Sequence, residues 1–180
     1  ISESGGTVTY NGTIGTSATG FGLITNAQQF RLNNDEVGSG SIGTTLADWV
    51  ECTHDYQRVG SVGWSQSSGI FSTTLTGVYL CFWAVVIHGT SAGDRMDPSV
   101  QIAADGSNYY PRSLGWGMVE ASSPLDTTIG NTFIFDVSNI STFRLKMIQS
   151  TTNNIATATT ISGSDSAAYT NILFVRIGNT

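Results

Sequence analysis

The chain has 180 residues, of which 39% are hydrophobic and only 11% charged, and its formal net charge is −6 at pH 7. Its seven lysines and arginines are scattered along the sequence, which argues against a nucleic-acid partner because phosphate backbones require clustered positive charge. Thr, Ser, Gly, Val and Ile dominate the composition, so we expect a β-rich protein rather than a helical one.

Residues 1–28 are rich in Gly, Ser and Thr and contain only isolated apolar side chains. One short strand, from Thr7 to Tyr10, is predicted within them. Because a segment of this composition buries little surface by itself, we interpret it as an extended N-terminal arm that docks the domain to another protein. A flexible entry to the domain is the alternative. Residues 29–180 form the predicted folded domain.

Short strands separated by turn residues fill the rest of the chain. The predicted strands are 29–32, 49–53, 61–64, 69–73, 77–88, 99–104, 108–112, 127–137, 142–149 and 169–177. Asp105-Gly106 predicts one hairpin, and the alternating runs 127–137 and 142–149 predict a second. Ten strands without a credible helix predict an antiparallel β-sandwich of the jelly-roll type.

The longest predicted strand is also the most apolar segment. Residues 78–87 carry no charge or amide, yet they are far fewer than the roughly 18 apolar residues that a membrane-spanning helix needs, so we predict no membrane insertion. Alternation places Tyr79, Cys81 and Trp83 on one face of the strand and Leu80 and Phe82 on the other. Since both faces are apolar, we expect something to pack on each of them.

Several short sequence phrases resemble those of a known domain family. Ser68-Gly69-Ile70-Phe71-Ser72 followed by Gly77-Val78-Tyr79-Leu80 resembles the strand pair of C1q/TNF-like jelly-roll domains. The FIFDV strand at 133–137 and the C-terminal FVRIGNT at 174–180 are similar to C1q-like domains of marine bacteriophage virion proteins. The resemblance covers residues 29–180, with Thr73-Thr74-Leu75 standing where the family usually has Phe-Pro.

The resemblance implies a compact homotrimer in which one face of the long strand fills the sandwich and another apolar surface meets neighbouring subunits. The residues assigned to core or trimer packing are Phe71, Tyr79, Cys81, Trp83, Val85, Phe133, Phe135 and Phe174. It further implies a non-enzymatic subunit on the exterior of a virion, as a head decoration or a fibre tip. Its partners would be other virion proteins, through the arm, and a host surface glycan or protein. A carbohydrate-binding or adhesion module of a secreted bacterial protein is the alternative.

Few residues are candidates for chemistry, and no catalytic residue or cofactor is predicted. Asp94 and Asp97 flank a turn and are weak Ca²⁺ candidates, with a polar turn as the favoured interpretation. His54, near Cys52 and Asp55, lacks a further ligand at metal spacing.

Trp116 stands between two glycines and is a candidate contact for a sugar or partner, although such a residue more often plugs the end of a sandwich. Cys52 and Cys81 are either two buried thiols, the favoured interpretation, or a disulfide.

Overall fold

The structure is a computed structural model, and it describes residues 2–4, 7–9, 24, 26–37, 43–53, 58–61, 63–89, 95–118, 125–149 and 160–180. These residues form strands and turns but no helix. Accordingly, no helix in the described part of the chain is long and apolar enough to cross a membrane.

Sixteen strands are defined in the described residues, and most are short. They are β1 Ser2–Ser4, β2 Thr7–Thr9, β3 Asn26–Leu32, β4 Glu36–Val37, β5 Trp49–Glu51, β6 Trp64–Ser67, β7 Ile70–Thr73, β8 Gly77–Gly89, β9 Arg95–Met96, β10 Ser99–Ala103, β11 Tyr110–Leu114, β12 Gly117–Met118, β13 Leu125–Val137, β14 Arg144–Ile148, β15 Thr160–Ile161 and β16 Asn171–Gly178.

Two antiparallel sheets make up the body of the molecule. The five-stranded sheet has the order β11-β10-β14-β7-β6. In the seven-stranded sheet β8 is central: it pairs with β13 along thirteen residues on one edge and with β16 and β15 on the other, and β3 and β5 follow β16. Two small sheets, β1-β2 and β9-β12, complete the strand pairing. This architecture confirms the predicted all-β sandwich.

An aromatic cluster fills the space between the sheets. The Trp64 ring, from the five-stranded sheet, stacks on the Phe174 ring, from the seven-stranded sheet, with 3.9 Å between centroids and 13° between planes. Phe71 and Phe30 meet the Phe174 ring and each other edge-on. Such pairs contribute beyond the area they bury, so this cluster is the main link between the two sheets.

The SSGIF phrase has a local explanation. Ser68 and Gly69 join β6 to β7, and both have positive φ, 49° and 78° respectively. Two such residues form a type I′ turn, whose twist matches that of the flanking strands. A Cβ on Gly69 would lie 2.2 Å from the carbonyl oxygen of Leu46, so the turn also requires glycine for lack of space.

The hairpin predicted between 127–137 and 142–149 is wrong. β13 pairs with β8 in the seven-stranded sheet, whereas β14 pairs with β10 and β7 in the other. The turn between them, in which Asn139 accepts hydrogen bonds from Ser141 and Phe143, carries the chain across the sandwich. A polar turn between two alternating runs has the same sequence pattern whether the two strands pair with each other or lie in different sheets.

The hairpin predicted at Asp105-Gly106 exists, but its connection is longer than two or three residues. β10 pairs with β11, and residues 104–109 lie between them. The Asp105 carboxylate accepts hydrogen bonds from the backbone of Ser107 and from the backbone and side chain of Asn108. These bonds lower the pKa of Asp105 to about 2, and they explain why the loop stays closed without a tight turn.

Several strand boundaries also differ from prediction. β6 runs from Trp64 to Ser67 rather than over 61–64, and β11 from Tyr110 to Leu114 rather than over 108–112. β3 begins at Asn26, three residues before the predicted start of the domain. Glycine and polar residues near these boundaries resemble strand ends in sequence, and they misplace the predicted boundaries.

Candidate self-association face

The outward face of the seven-stranded sheet carries two apolar rows across its central strands. One row runs from Ile134 on β13 through Leu80 on β8 and Val175 on β16 to Ala27 on β3, and Val59 bridges to Ala27. The next row is formed by Thr132, Phe82, Leu173 and Gln29. We call these two rows together the apolar face.

Two large side chains of the apolar face are exposed within the single chain, whereas Val175 in the first row is only 7% exposed. Ile134 is 62% exposed and Phe82 is 40% exposed, although each lies in the middle of a thirteen-residue strand. Large hydrophobic side chains gathered on one sheet face are unusual on an isolated soluble domain and mark an interaction surface.

Among the described residues of this face, the charged side chains lie at its margins. Asp136 pairs with Val78 at one end of β8, and Asp126 with His88 at the other. His88 Nδ1 and the Asp126 carboxylate are 2.8 Å apart. Arg31, on β3, turns its guanidinium toward the carbonyl groups of Ser164 and Asp165. The centre of the face is therefore free of charge that would have to be desolvated on contact.

The residues predicted for core or trimer packing lie elsewhere, on the inward side of the sheets. The fully or almost fully buried ones are Phe71, Tyr79, Cys81, Trp83, Val85 and Phe174. Phe133 and Phe135 are partly buried and pack against the same core. The prediction that both faces of β8 are covered holds for the inward face, whereas the chain itself leaves Phe82 on the outward face exposed.

Trp116 lies between β11 and β12 and is 69% exposed, so its side chain does not plug the sandwich. Close packing explains why the residues on either side of Trp116 are glycines. A Cβ on Gly115 would lie 2.5 Å from Ile129 and 2.7 Å from Trp83, and one on Gly117 would lie 2.6 Å from Ile129. The backbone here lies against β13 and β8, and the indole is presented at the edge of the sandwich.

The metal candidates are not brought together with other ligands. Asp94, His54 and Asp55 lie outside the described residues, and Asp97 is buried between β9 and β10. Among the residues that the structure describes, no three His, Cys, Asp or Glu side chains lie close enough to hold a metal ion.

The two cysteines are free and buried. Cys52 donates its backbone N–H to Gln29 on β3, whereas Cys81 lies on β8, so β3 and β16 separate them. Three strand spacings amount to about 14 Å, well beyond the reach of a disulfide. Burial raises the pKa of both thiols, which keeps them protonated and unreactive at neutral pH.

Solved structures with this arrangement of strands include members of the TNF family. Murine APRIL at pH 5.0 superposes with a TM-score of 0.59 and 14% identity, over 84% of this chain and 98% of APRIL. Eiger TNF from S. frugiperda gives 0.61 and 12%, over 86% and 93%. The fold is a TNF/C1q-like jelly roll. No protein-family model matches the sequence, and no curated protein matches it either.

At these identities the likeness to APRIL and Eiger establishes the jelly-roll fold and no more. The function of the face has to be argued from its own residues.

Proposed function

We propose that this protein is a non-enzymatic binding subunit that assembles as a homotrimer through the apolar face. The observation that carries the proposal is the uncharged pair of rows on the outward side of β13, β8 and β16, in which Ile134 and Phe82 are exposed. Covering these side chains removes apolar surface from water, which is the dominant favourable term in most protein association.

A trimer requires that the apolar face meet a different surface of the neighbouring subunit. A patch that binds its own copy gives a twofold dimer, whereas contact between two different patches closes into a ring. The second surface is the edge of the sandwich, where Trp116 is 69% exposed and Leu114 is 56% exposed, with the partly buried Phe133 nearby on β13. This contact would employ Trp116 as an interface residue.

Light scattering of the purified chain tests the assembly. We expect a mass three times the 19.0 kDa of one chain. The double variant Phe82→Asp/Ile134→Asp is expected to be a folded monomer, because each aspartate would be desolvated in the interface. Ile140→Asp is the matched control, since Ile140 is 40% exposed, like Phe82, but lies in the turn after β13. A monomeric wild-type chain, or a double variant that stays trimeric, would refute the proposal.

The location that we propose for the trimer is the exterior of a bacteriophage particle, as a head decoration or fibre subunit. Support comes from the SSGIF, FIFDV and FVRIGNT phrases and from the Gly/Thr-rich arm of residues 1–28, which would dock the domain to other virion proteins. We expect antibodies against the domain to label intact particles, and particles made with a chain lacking residues 1–24, which leaves β3 intact, to lose the label. Equal labelling of both particles would exclude docking by the arm.

A further inference from the structure

The five-stranded sheet has a charge opposite to that of the whole protein. Its five strands contain Arg112, Arg144 and Lys146 but no aspartate or glutamate. The chain as a whole carries 13 acidic residues and a net charge of −6. Three of the seven cations are thus concentrated on one sheet, although Arg112 is 32 positions from Arg144 in sequence.

Two of these cations project from the outward side of β14. Arg144 and Lys146 alternate with Leu145 and Met147, which are completely buried between the sheets. Lys146 is opposite Gln101 and Arg144 opposite Ala103 on β10. The outward side of the five-stranded sheet therefore presents positive charge, on the side of the sandwich away from the apolar face.

Tyrosine rings accompany the cations. The Lys146 ammonium lies 4.3 Å from the centroid of the Tyr109 ring, and the Arg112 guanidinium lies 5.9 Å from that of Tyr110, which is exposed. Arg144 donates a hydrogen bond to the carbonyl oxygen of Phe143, 2.7 Å away, which orients its guanidinium without neutralising it. We call these five residues, Tyr109, Tyr110, Arg112, Arg144 and Lys146, the basic patch.

Among the residues that the structure describes, no carboxylate pairs with a cation of the patch. No aspartate or glutamate oxygen of these residues lies within 4.0 Å of any of the three cations. By contrast, Arg58 is paired with Glu51 at 2.9 Å. The nearest acidic residue in sequence is Asp105, whose carboxylate accepts hydrogen bonds from Asn108 and Ser107 and not from a cation of the patch.

We propose that the basic patch binds an acidic polysaccharide, one that carries carboxylate or sulfate groups. The inference rests on the proposed role as a binding subunit and names the chemistry of its partner. Arginine donors match the two oxygens of a carboxylate or sulfate group, and the tyrosine rings offer flat surfaces to the sugar rings between them. In a trimer three patches would engage one polymer, which multiplies the affinity without new contacts.

Charge density favours a polysaccharide over a nucleic acid. Double-stranded DNA carries one negative charge per about 1.7 Å of its axis, and its tight binding needs many phosphate contacts. The patch offers three cations on a protein of net charge −6, so a closely charged polymer would be repelled by the rest of the surface. A polymer with one acidic group per sugar unit or fewer fits three separate cations better than a nucleic acid does.

Binding of alginate, which carries one carboxylate per sugar unit, tests the proposal, with uncharged dextran as the reference. We expect alginate to bind at low salt and dextran not to bind. Arg144→Gln/Lys146→Gln is expected to weaken alginate binding about tenfold or more, because both cations donate hydrogen bonds to the acidic groups. Arg112→Gln alone is expected to weaken it less.

The control is Arg58→Gln/Arg176→Gln, which changes the net charge equally but lies outside the five-stranded sheet. This control variant should bind the acidic polysaccharide with an affinity within about twofold of wild type. An equal loss in both double variants, equal binding of uncharged dextran, or tighter binding of a short DNA duplex would each overturn the proposal. Polysaccharide binding by a chain that proves monomeric would support the patch while refuting the trimer.

Discussion

Replacement of Phe174 by alanine is expected to lower the free energy of unfolding by about 3–5 kcal/mol, the range for large aromatic residues in closed cores. Phe174 is completely buried, and its ring stacks on Trp64 and meets Phe71 and Phe30 edge-on. Those partners belong to both sheets, so the cavity would open where the two layers are joined. Urea denaturation of wild type and variant measures the difference.

Ile177 provides a control for this experiment on the same strand. It also belongs to β16, but it is 50% exposed, so Ile177→Ala is expected to change the free energy of unfolding by no more than about 0.5 kcal/mol. If both variants lost the same stability, the stacked pair would not be the link between the sheets. A loss confined to Phe174→Ala would show that the buried ring between the sheets stabilises the fold, and not β16 residues in general.

The parts of the fold that sequence predicts are those with a local cause. The alternation of Tyr79, Cys81 and Trp83 with Leu80 and Phe82 needs only the two-residue period of a strand, and both sets lie on the faces predicted. The Asp105-Gly106 hairpin joins β10 and β11, which are neighbours in sequence. The partner of β13 is not local, because its pairing with β8 joins residues that are far apart in sequence.

The same distinction applies to the candidate sites. Phe82 was identified as belonging to the second face of β8, but its neighbours Ile134 and Leu173 come from strands whose register is set by the whole sheet. The basic patch was missed for the same reason. Arg112 and Lys146 are 34 positions apart, so composition alone counts them as scattered. The structure brings their strands to either side of β10, where Gln101 lies between them.

Replacement of Gln28 by leucine is expected to cost about 3 kcal/mol, because it would leave buried backbone groups of another strand without partners. Gln28 is buried on β3, and its side-chain amide donates to the carbonyl oxygen of Trp64 at 2.9 Å. The side-chain carbonyl oxygen of Gln28 accepts hydrogen bonds from the backbone N–H groups of Trp64, at 2.8 Å, and Gly63, at 3.2 Å. β6 is the last strand of its sheet, so this one side chain takes the place of a neighbouring strand.

Two further variants separate this role from simple packing. Gln29→Leu changes the adjacent glutamine on the outward face, whose amide contacts Asn171 at 3.3 Å, and should cost less than about 1 kcal/mol. Gln28→Glu keeps the acceptor for the two N–H groups but presents a carboxylate to the Trp64 carbonyl oxygen. Burial would raise the pKa of that carboxyl, so Gln28→Glu should approach wild-type stability as the pH falls and its protonated form donates to Trp64. If Gln28→Glu were as stable as wild type at every pH, the donated hydrogen bond would contribute nothing, and the side chain would matter only for the volume it fills and the acceptor that it keeps.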